Sequence, residues 1–172
     1  DKCGESKTGY TLFITLFPWT LILGLLILLL NIFPGWVSPF SNTLGYFIIS
    51  LFGANQVFQK LFKDPTLQNV GAKDSALMMA LTNLYGDKSL LINTLTPDNF
   101  EQFMQKLEES SLFNNSKTDD IKSAKDTLKR LIEIKDTVGF LTWFLLAGLF
   151  TVTVSGNYIN NVECNPSPEA VK

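Results

Sequence analysis

Between Thr8 and Gln59 the chain reads TGYTLFITLFPWTLILGLLILLLNIFPGWVSPFSNTLGYFIISLFGANQVFQ, a run of 52 residues that contains no Asp, Glu, Lys or Arg. A soluble domain of this size cannot keep so long an uncharged stretch away from water on every side. Most of the run must therefore lie in lipid or pack on segments that do. The sequence predicts an all-α integral membrane protein, because helices satisfy their own backbone hydrogen bonds in hydrocarbon.

The first part of this run, residues 10–33, is the first predicted transmembrane helix. Its 24 residues carry no charge, and as a helix they would rise about 36 Å, enough to cross a bilayer with some tilt. Pro18 frees a backbone carbonyl that a neighbouring Thr such as Thr15, or a packed helix, can satisfy, so we expect a mild kink. Tyr10 and Trp36 are predicted anchors at the lipid–water boundary.

Residues 137–156, again uncharged, are the second predicted transmembrane helix. The TVTVS sequence at residues 151–155 is typical of a strand in soluble proteins, but an isolated strand would leave its backbone unsatisfied in lipid. Tyr158, just beyond this helix, is the third predicted interface anchor. Several small side chains either allow another helix to approach closely or are ordinary filler positions. They are Gly139, Ala147, Gly148, Thr151 and Ser155.

A less regular segment, residues 34–62, separates the first transmembrane helix from the charged part of the chain. It opens with PGWVSPF, which breaks any helix. The apolar stretch that follows is short and is interrupted by Asn42, Ser50 and Asn55. Its length favours a re-entrant or interfacial helix, whereas a helix over residues 44–62 would make a third full span. The sequence leaves both interpretations open.

Residues 63–136 are the predicted soluble helical lobe, and residues 1–9 and 157–172 are polar tails. Residues 60–136 hold eleven of the fourteen Lys and Arg and twelve of the sixteen Asp and Glu. The lobe is therefore close to neutral, which does not support nucleic-acid binding. Since residue 1 is Asp, we expect a trimmed or processed chain, in which residues 10–33 are too long for a signal-peptide core.

The residues that carry common chemistry are missing from the sequence. It contains no His, so the commonest general base at neutral pH is missing. Its only two Cys residues are far apart in the sequence and cannot form a zinc site, which usually needs four ligands. No Gly-rich phosphate loop and no nucleophile beside a base is present. We therefore predict no enzymatic activity, no cofactor, no metal and no small-molecule substrate.

Two of the predicted lobe helices have clear starting signals. A helix at residues 76–85 follows a capping position, and a second starts where Thr96 can cap, Pro97 takes the first helical position and Leu95 can pack on Phe100. The second helix has one apolar face. This face consists of Phe100, Phe103, Met104 and Leu107.

The last lobe helix begins at Thr118 or Asp119 in the sequence-based prediction. Asp126 and Arg130 have the spacing of a salt bridge within one helix. No Pro or Gly intervenes before Thr137, so we expect this helix to run straight into the second transmembrane helix. Its apolar stripe consists of Ile121, Ala124, Leu128, Leu131 and Ile132.

Charge near the second transmembrane helix predicts the orientation of the lobe. Six basic residues precede this helix within about 20 residues, whereas Lys172 alone follows it, so the lobe should face the cytoplasm. If residues 34–62 are re-entrant, both tails emerge on the opposite face, where Cys3 and Cys164 share an oxidising compartment and can pair. If that segment spans, the tails lie on opposite faces and the two thiols stay apart.

A short motif, TLGYF at residues 43–47, is similar to the potassium-channel filter T-V-G-Y-G, whose carbonyl groups coordinate ions. Phe47 stands where the filter has its second glycine. A long lobe also separates the motif from the next predicted helix. We therefore rank a channel below the other interpretations.

Three blocks of sequence are distinctive: PGWVSPFSNTLGY at residues 34–46, LINTLTPDNF at residues 91–100, and SGNYINN at residues 155–161 followed by Cys164. Together they resemble the membrane-spanning minor capsid proteins of large nucleocytoplasmic DNA viruses, the chlorella-virus type among them. The resemblance implies a structural virion protein in the internal membrane beneath an icosahedral shell. Its partners would be the bilayer and the major and other minor capsid proteins.

Exposed apolar side chains of the lobe would be the contacts to capsid subunits in this interpretation, and Phe103, Leu112 and Phe113 are the candidates. Two alternatives stay open. One is a viroporin-like channel whose pore is lined by Asn42, Ser50 and Asn55. The other is a membrane component of the apparatus by which a virus enters its host, which would depend on the tail cysteines.

The pairing of Cys3 with Cys164 can be tested on gels. If both tails lie in one oxidising compartment, the chain should migrate differently on reducing and non-reducing gels, because a Cys3–Cys164 bond restricts the unfolded chain. The difference should disappear in the Cys3→Ser variant. Two fully labelled thiols in native membranes would contradict the pairing.

Overall fold

The computed structural model describes residues 8–62, 87–109, 113–114 and 118–161. Within these residues the secondary structure is helical, apart from one isolated antiparallel bridge between Phe62 and Phe113. The chain divides into two compact units. The terminal unit consists of residues 1–36 and 142–172, and the central unit consists of residues 37–141.

The described helices are α1 (Thr8–Ile32), α2 (Ser38–Phe40), α3 (Tyr46–Leu51), α4 (Ala54–Leu61), α5 (Lys88–Thr94), α6 (Phe100–Glu109) and α7 (Thr118–Asn160). A 3₁₀ turn, Pro34–Val37, precedes α2, and a π-helical turn, Ser41–Gly45, joins α2 to α3. By length and composition, α1 and α7 can each cross a membrane. The predicted all-α fold with two membrane-length helices is therefore confirmed at this level.

In the terminal unit, α1 and the last part of α7 are antiparallel. Tyr10 near the start of α1 and Tyr158 near the end of α7 line the same apolar groove. At the other end, the Trp143 indole N–H donates to the Trp36 carbonyl oxygen at 2.7 Å, and the two rings stack with centroids 6.5 Å apart. The beginning of α1 and the end of α7 therefore lie at the same end of the unit.

Hydroxyl side chains in these apolar helices bond to their own helix. Thr151, which is fully buried, donates to the Ala147 carbonyl oxygen at 2.7 Å, and Thr15 donates to Thr11 at 2.9 Å. The TVTVS sequence is helical, as predicted, and both of its Thr hydroxyl groups bond to carbonyl groups of their own helix, whereas the buried Ser155 hydroxyl has no such partner. Helix α1 continues through Pro18, and Thr15 serves a different carbonyl from the one that the proline frees.

The central unit has one hydrophobic core, to which α3 to α6 and the first half of α7 contribute. The predicted stripe of α7 and the predicted face of α6 are both part of it, which confirms these predictions. Residues before the lobe also contribute, so the segment after Val37 packs with the lobe. The buried members are Ile49, Ala54, Phe58, Leu61, Ile92, Leu95, Phe100, Met104, Leu107, Phe113, Ala124, Leu128, Leu131 and Ile132.

The start of α6 follows its sequence signals. The Asn99 N–H donates to Thr96 Oγ1 at 3.3 Å, and the Thr96 N–H donates to Asn99 Oδ1 at 2.8 Å. This reciprocal pair is a capping box in which Asn replaces the usual Glu or Gln. Leu95 and Phe100 are both buried in the core. The predicted cap is therefore confirmed, while the predicted helix at residues 76–85 lies outside the described residues.

The segment after α1 contains a helix of 14 residues, residues 38–51, which we call the middle helix. It consists of α2, the π-helical turn and α3, and it ends at Leu51. Gly53 then adopts a left-handed conformation with φ of 83°, and α4 begins at Ala54. A continuous helix over residues 44–62 is therefore not formed. The filter-like TLGYF sequence lies within the middle helix, so its backbone is not the extended row of carbonyls that a potassium filter needs.

The middle helix and α7 approach each other closely at two glycines. A Cβ atom on Gly45 would collide with the backbone carbonyl oxygen of Lys135. A Cβ atom on Gly139 would lie 2.7 Å from Val37 Cγ1 and 3.0 Å from the Ser41 nitrogen. Neither position accepts a larger residue without a shift of backbone. For Gly139, the structure thus favours close approach over an ordinary filler position.

We predict that Gly45→Ala destabilises the protein by about 1–3 kcal/mol, because the added methyl group overpacks a backbone contact. The measurement is thermal unfolding of the full chain in detergent, followed by circular dichroism. Gly24→Ala is the matched control, since a Cβ atom there meets nothing within 4 Å. An equal loss of stability in both variants would contradict the contact.

Candidate membrane-interface site

Lys135 on α7 is a charged side chain inside the central unit, where only 1% of its surface is exposed. Its Nζ donates to Asn42 Oδ1 at 2.9 Å, to the Ile92 carbonyl oxygen at 3.2 Å and to the Asn93 carbonyl oxygen at 3.4 Å. An ammonium group has three protons to donate. All three have acceptors, so hydrogen bonds compensate in part for the loss of water around this charge.

The acceptors of Lys135 belong to two different elements. Asn42 lies in the π-helical turn, whereas Ile92 and Asn93 lie in the last turn of α5. The last carbonyl groups of a helix lack partners within that helix and carry a partial negative charge. The ammonium group therefore caps the end of α5 and at the same time attaches the middle helix to α7.

Burial shifts the pKa values of Lys135 and of the adjacent Asp136. Burial lowers the pKa of Lys135 to about 8, against the opposing influence of Asp136. Burial likewise raises the pKa of the Asp136 carboxyl group, while the neighbouring Ser41 hydroxyl and Lys135 act in the other direction. The buried Ser41 hydroxyl is close enough to Asp136 to favour its charged form, but the two groups do not meet the distance and angle of a full hydrogen bond. Removal from water is thus the dominant effect on both charges.

A second set of charges connects α6 with α7 on the surface of the central unit. Lys125 Nζ lies 3.0 Å from Glu108 Oε1, and Lys129 Nζ lies 2.7 Å from Glu101 Oε1. The hydrogen bond from Lys129 lowers the pKa of Glu101, and Glu101 raises the pKa of Lys129. Each such exposed pair contributes little stability. The ion pairs found among the described residues join two helices, and the pair predicted within α7 is not one of them.

The predicted capsid contacts have different positions in the structure. Phe113 is 8% exposed and belongs to the core, so the expectation that it is exposed is wrong. It is buried because it is bridged to Phe62, which brings it beneath α4. Phe103 is half-buried against the core. Leu112 lies outside the described residues.

The structure indicates a lobe surface residue that sequence reasoning missed. Leu90 on α5 is 55% exposed, whereas Ile92 on the same helix is fully buried. The sequence did contain a signal for this exposure, namely the adjacent pair Leu90 and Leu91. Two adjacent residues of a helix cannot both face the same core. Leu90 is therefore the better candidate for contact with a partner.

The structural role of Lys135 was also missed, since in the sequence this residue is one of several basic residues before the second apolar helix. Its spacing from Leu128 and Leu131 places it on the same helix face as the apolar stripe. A lysine that continues a buried stripe is a signal for a buried charge. The identity of its acceptors had no comparable signal, because they are distant in sequence.

The predicted interface anchors are exposed, as that role requires. Tyr10, Trp36 and Tyr158 have 49%, 46% and 61% of their surface exposed, respectively. Tyr10 and Tyr158 lie at one end of the terminal unit and Trp36 lies at the other, as described above. Cys3 and Cys164 lie outside the described residues, so their pairing stays a prediction.

The polar side chains suggested for a pore have partners within the chain. Asn42 accepts from Lys135, the Asn55 Oδ1 accepts from the Tyr46 hydroxyl at 3.2 Å, and the Ser50 hydroxyl donates to the Phe47 carbonyl oxygen at 2.7 Å. Each of the three side chains therefore has one polar group bound within the chain.

No group of three or more His, Cys, Asp or Glu side chains in the described ranges is arranged to hold a metal ion. No protein-family model matches the chain, and no curated protein or solved structure is significantly similar to it.

We predict that the contribution of Lys135 to stability rises with pH. Its pKa is about 8 in the folded chain, whereas the ordinary value of 10.5 applies to the unfolded chain. Between these values the unfolded chain binds more protons than the folded chain, so the free energy of unfolding increases. The total increase in the free energy of unfolding is at most about 3 kcal/mol before solvent screening is subtracted.

The measurement compares wild type with Lys135→Met, which preserves side-chain length and cannot titrate, by denaturant unfolding of the full chain in detergent. The difference in free energy of unfolding should grow in favour of wild type between about pH 8 and pH 10.5. Lys129→Met is the control with the opposite sign, because Glu101 raises the pKa of Lys129 and its contribution declines at high pH. A flat Lys135→Met difference would show that this ammonium group is not buried.

Proposed function

We propose that this chain is an integral membrane protein that anchors a lipid bilayer to a protein shell, as a minor capsid protein in the internal membrane of a virus. The observation that carries the proposal is the unbroken course of α7 over 43 residues, Thr118–Asn160. The same helix supplies core residues from Ala124 to Ile132 and the apolar stretch at residues 137–156. One helix thus takes part both in the lobe and in the membrane anchor.

An anchor of this kind must resist force between the lobe and the lipid. In α7 any such force is borne by the continuous backbone hydrogen bonds of a helix. On the lobe side, helix α7 is held by a buried apolar stripe, by ion pairs to α6 and by the three bonds of Lys135. These contacts support a lobe that stays folded when its partner pulls on it.

The charge distribution supports a lobe on the cytoplasmic, shell-facing side of the membrane. Basic residues at the cytoplasmic ends of transmembrane helices determine their orientation. The basic residues before the apolar stretch of α7 are Lys117, Lys122, Lys125, Lys129, Arg130 and Lys135. A capsid that assembles in the cytoplasm around a membrane would meet the lobe on that side.

The resemblance to membrane-spanning minor capsid proteins supports the virion assignment, and two of its sequence blocks meet at one place. Asn42 belongs to the first block, and Ile92 and Asn93 belong to the second. All three bind the Lys135 ammonium group. These two blocks therefore both contribute contacts to α7, as an anchoring protein requires.

We predict that Leu90→Asp weakens binding of the chain to the shell by about tenfold, because an exposed apolar anchor is replaced by a charge. The measurement starts from purified particles, removes lipid with a mild detergent, and determines by mass spectrometry how much of the chain stays with the shell. Gln102→Asp, an exposed polar position on α6, is the matched control. Phe103→Asp is less informative, since a half-buried position tests folding as well as contact.

Retention of the wild-type chain with the shell after lipid removal would support the anchor. Complete release of the wild-type chain with the lipid would contradict it, because the membrane alone would then hold the chain. Equal retention of both variants, with wild-type retention intact, would show that the contact lies elsewhere on the lobe than Leu90.

A further inference from the structure

The middle helix has two different faces. Ser41 and Ile49 are almost completely buried, at 1% and 0% exposure, and Gly45 is buried between them in the same row. The opposite side consists of large apolar residues that are strongly exposed, which we call the apolar face. It comprises Leu44 at 48%, Phe47 at 60%, Leu51 at 70% and, just beyond the helix, Phe52 at 70%.

Three large apolar side chains on one side of a short helix, with a fourth directly after it, form a patch that a water-exposed surface rarely carries without a partner. Two large apolar residues of α7 in the same unit, Phe140 and Leu141, are likewise 37% and 55% exposed. These two residues lie within the uncharged stretch that begins at Thr137. The central unit thus exposes large apolar side chains on both the middle helix and α7.

The polar groups near the apolar face have partners within the protein. The Ser50 hydroxyl donates to Phe47, and Asn55 accepts from Tyr46. At the turn after the helix, the Gly53 N–H donates to the Ser50 carbonyl oxygen at 3.1 Å. Backbone that enters a bilayer must be satisfied in this way, since lipid offers no hydrogen bonds.

The length of the middle helix and the charges around it determine how far it can enter a bilayer. The middle helix has 14 residues, which rise about 21 Å, less than the roughly 30 Å of the hydrocarbon core. No charged residue occurs between Pro34 and Gln59, and the first one is Lys60 at the end of α4. The segment is therefore suited to lie within lipid but is too short to cross it.

We propose that the middle helix inserts its apolar face among the acyl chains of one leaflet, as a half-embedded helix attached to α7 through Gly45 and Asn42. The proposal depends on the proposed function, in which α1 and α7 cross the bilayer. The partner is the lipid of the membrane that the chain spans. The buried face stays on α7, while Leu44, Phe47, Leu51 and Phe52 contact the acyl chains.

The test uses spin labels in the full chain reconstituted into phosphatidylcholine vesicles. Cys3→Ser and Cys164→Ser provide the background, and Phe47→Cys and Leu51→Cys place a label on exposed positions of the apolar face. Leu25→Cys on α1 reports a position in the predicted span, and Gln102→Cys on α6 reports the lobe surface. The readout is the collision frequency of each label with oxygen, which concentrates in lipid, and with a water-soluble nickel complex.

We expect labels at residues 47 and 51 to shift from nickel towards oxygen relative to residue 102, and to lie at a shallower depth than residue 25. If residue 25 is in lipid while residues 47 and 51 collide mainly with nickel, the insertion is wrong and the membrane anchor stands. If residue 25 also collides mainly with nickel, the proposed anchor fails together with the insertion. Spin–spin broadening between two copies labelled at residue 47 would assign the apolar face to a second chain, which also overturns the proposal.

Discussion

The buried ammonium group of Lys135 is the interaction on which the arrangement of the central unit depends. An unpaired charge in this position would cost several kcal/mol, so the three acceptors have to be in place when the unit folds. Two of them are carbonyl groups at the end of α5, and the third is a side chain of the π-helical turn. The lysine thereby specifies how three elements meet, in addition to any stability that it provides.

The close contact at Gly45 makes this specification strict. A carbonyl oxygen of α7 occupies the space of a Cβ atom at that position, so the middle helix lies with its backbone directly against α7. This closeness lets the short Asn42 side chain reach Lys135. It also leaves the other side of the middle helix exposed among the residues that the structure describes, and this side is the apolar face.

Much of the fold was predictable because it depends on local patterns. The two long apolar helices follow from composition, the start of α6 follows from Thr96 and Pro97, and the buried stripe of α7 follows from helical spacing. The burial of Phe113 was not predictable, since it requires the bridge to Phe62, some 50 residues earlier in the chain. The role of Lys135 was missed for the same reason, as its partners lie 42 to 93 positions away.

The sequence by itself determined that this protein is helical and has two helices able to cross a membrane, because hydrocarbon excludes charge and unsatisfied backbone whatever the tertiary packing. It left open the length of the helix between them. Only the tertiary structure decided that this helix ends at Leu51, that it packs on α7 through small residues, and that Lys135 is buried beside it. Those outcomes depend on which distant backbone atoms come into contact, and a single sequence carries no direct record of such contacts.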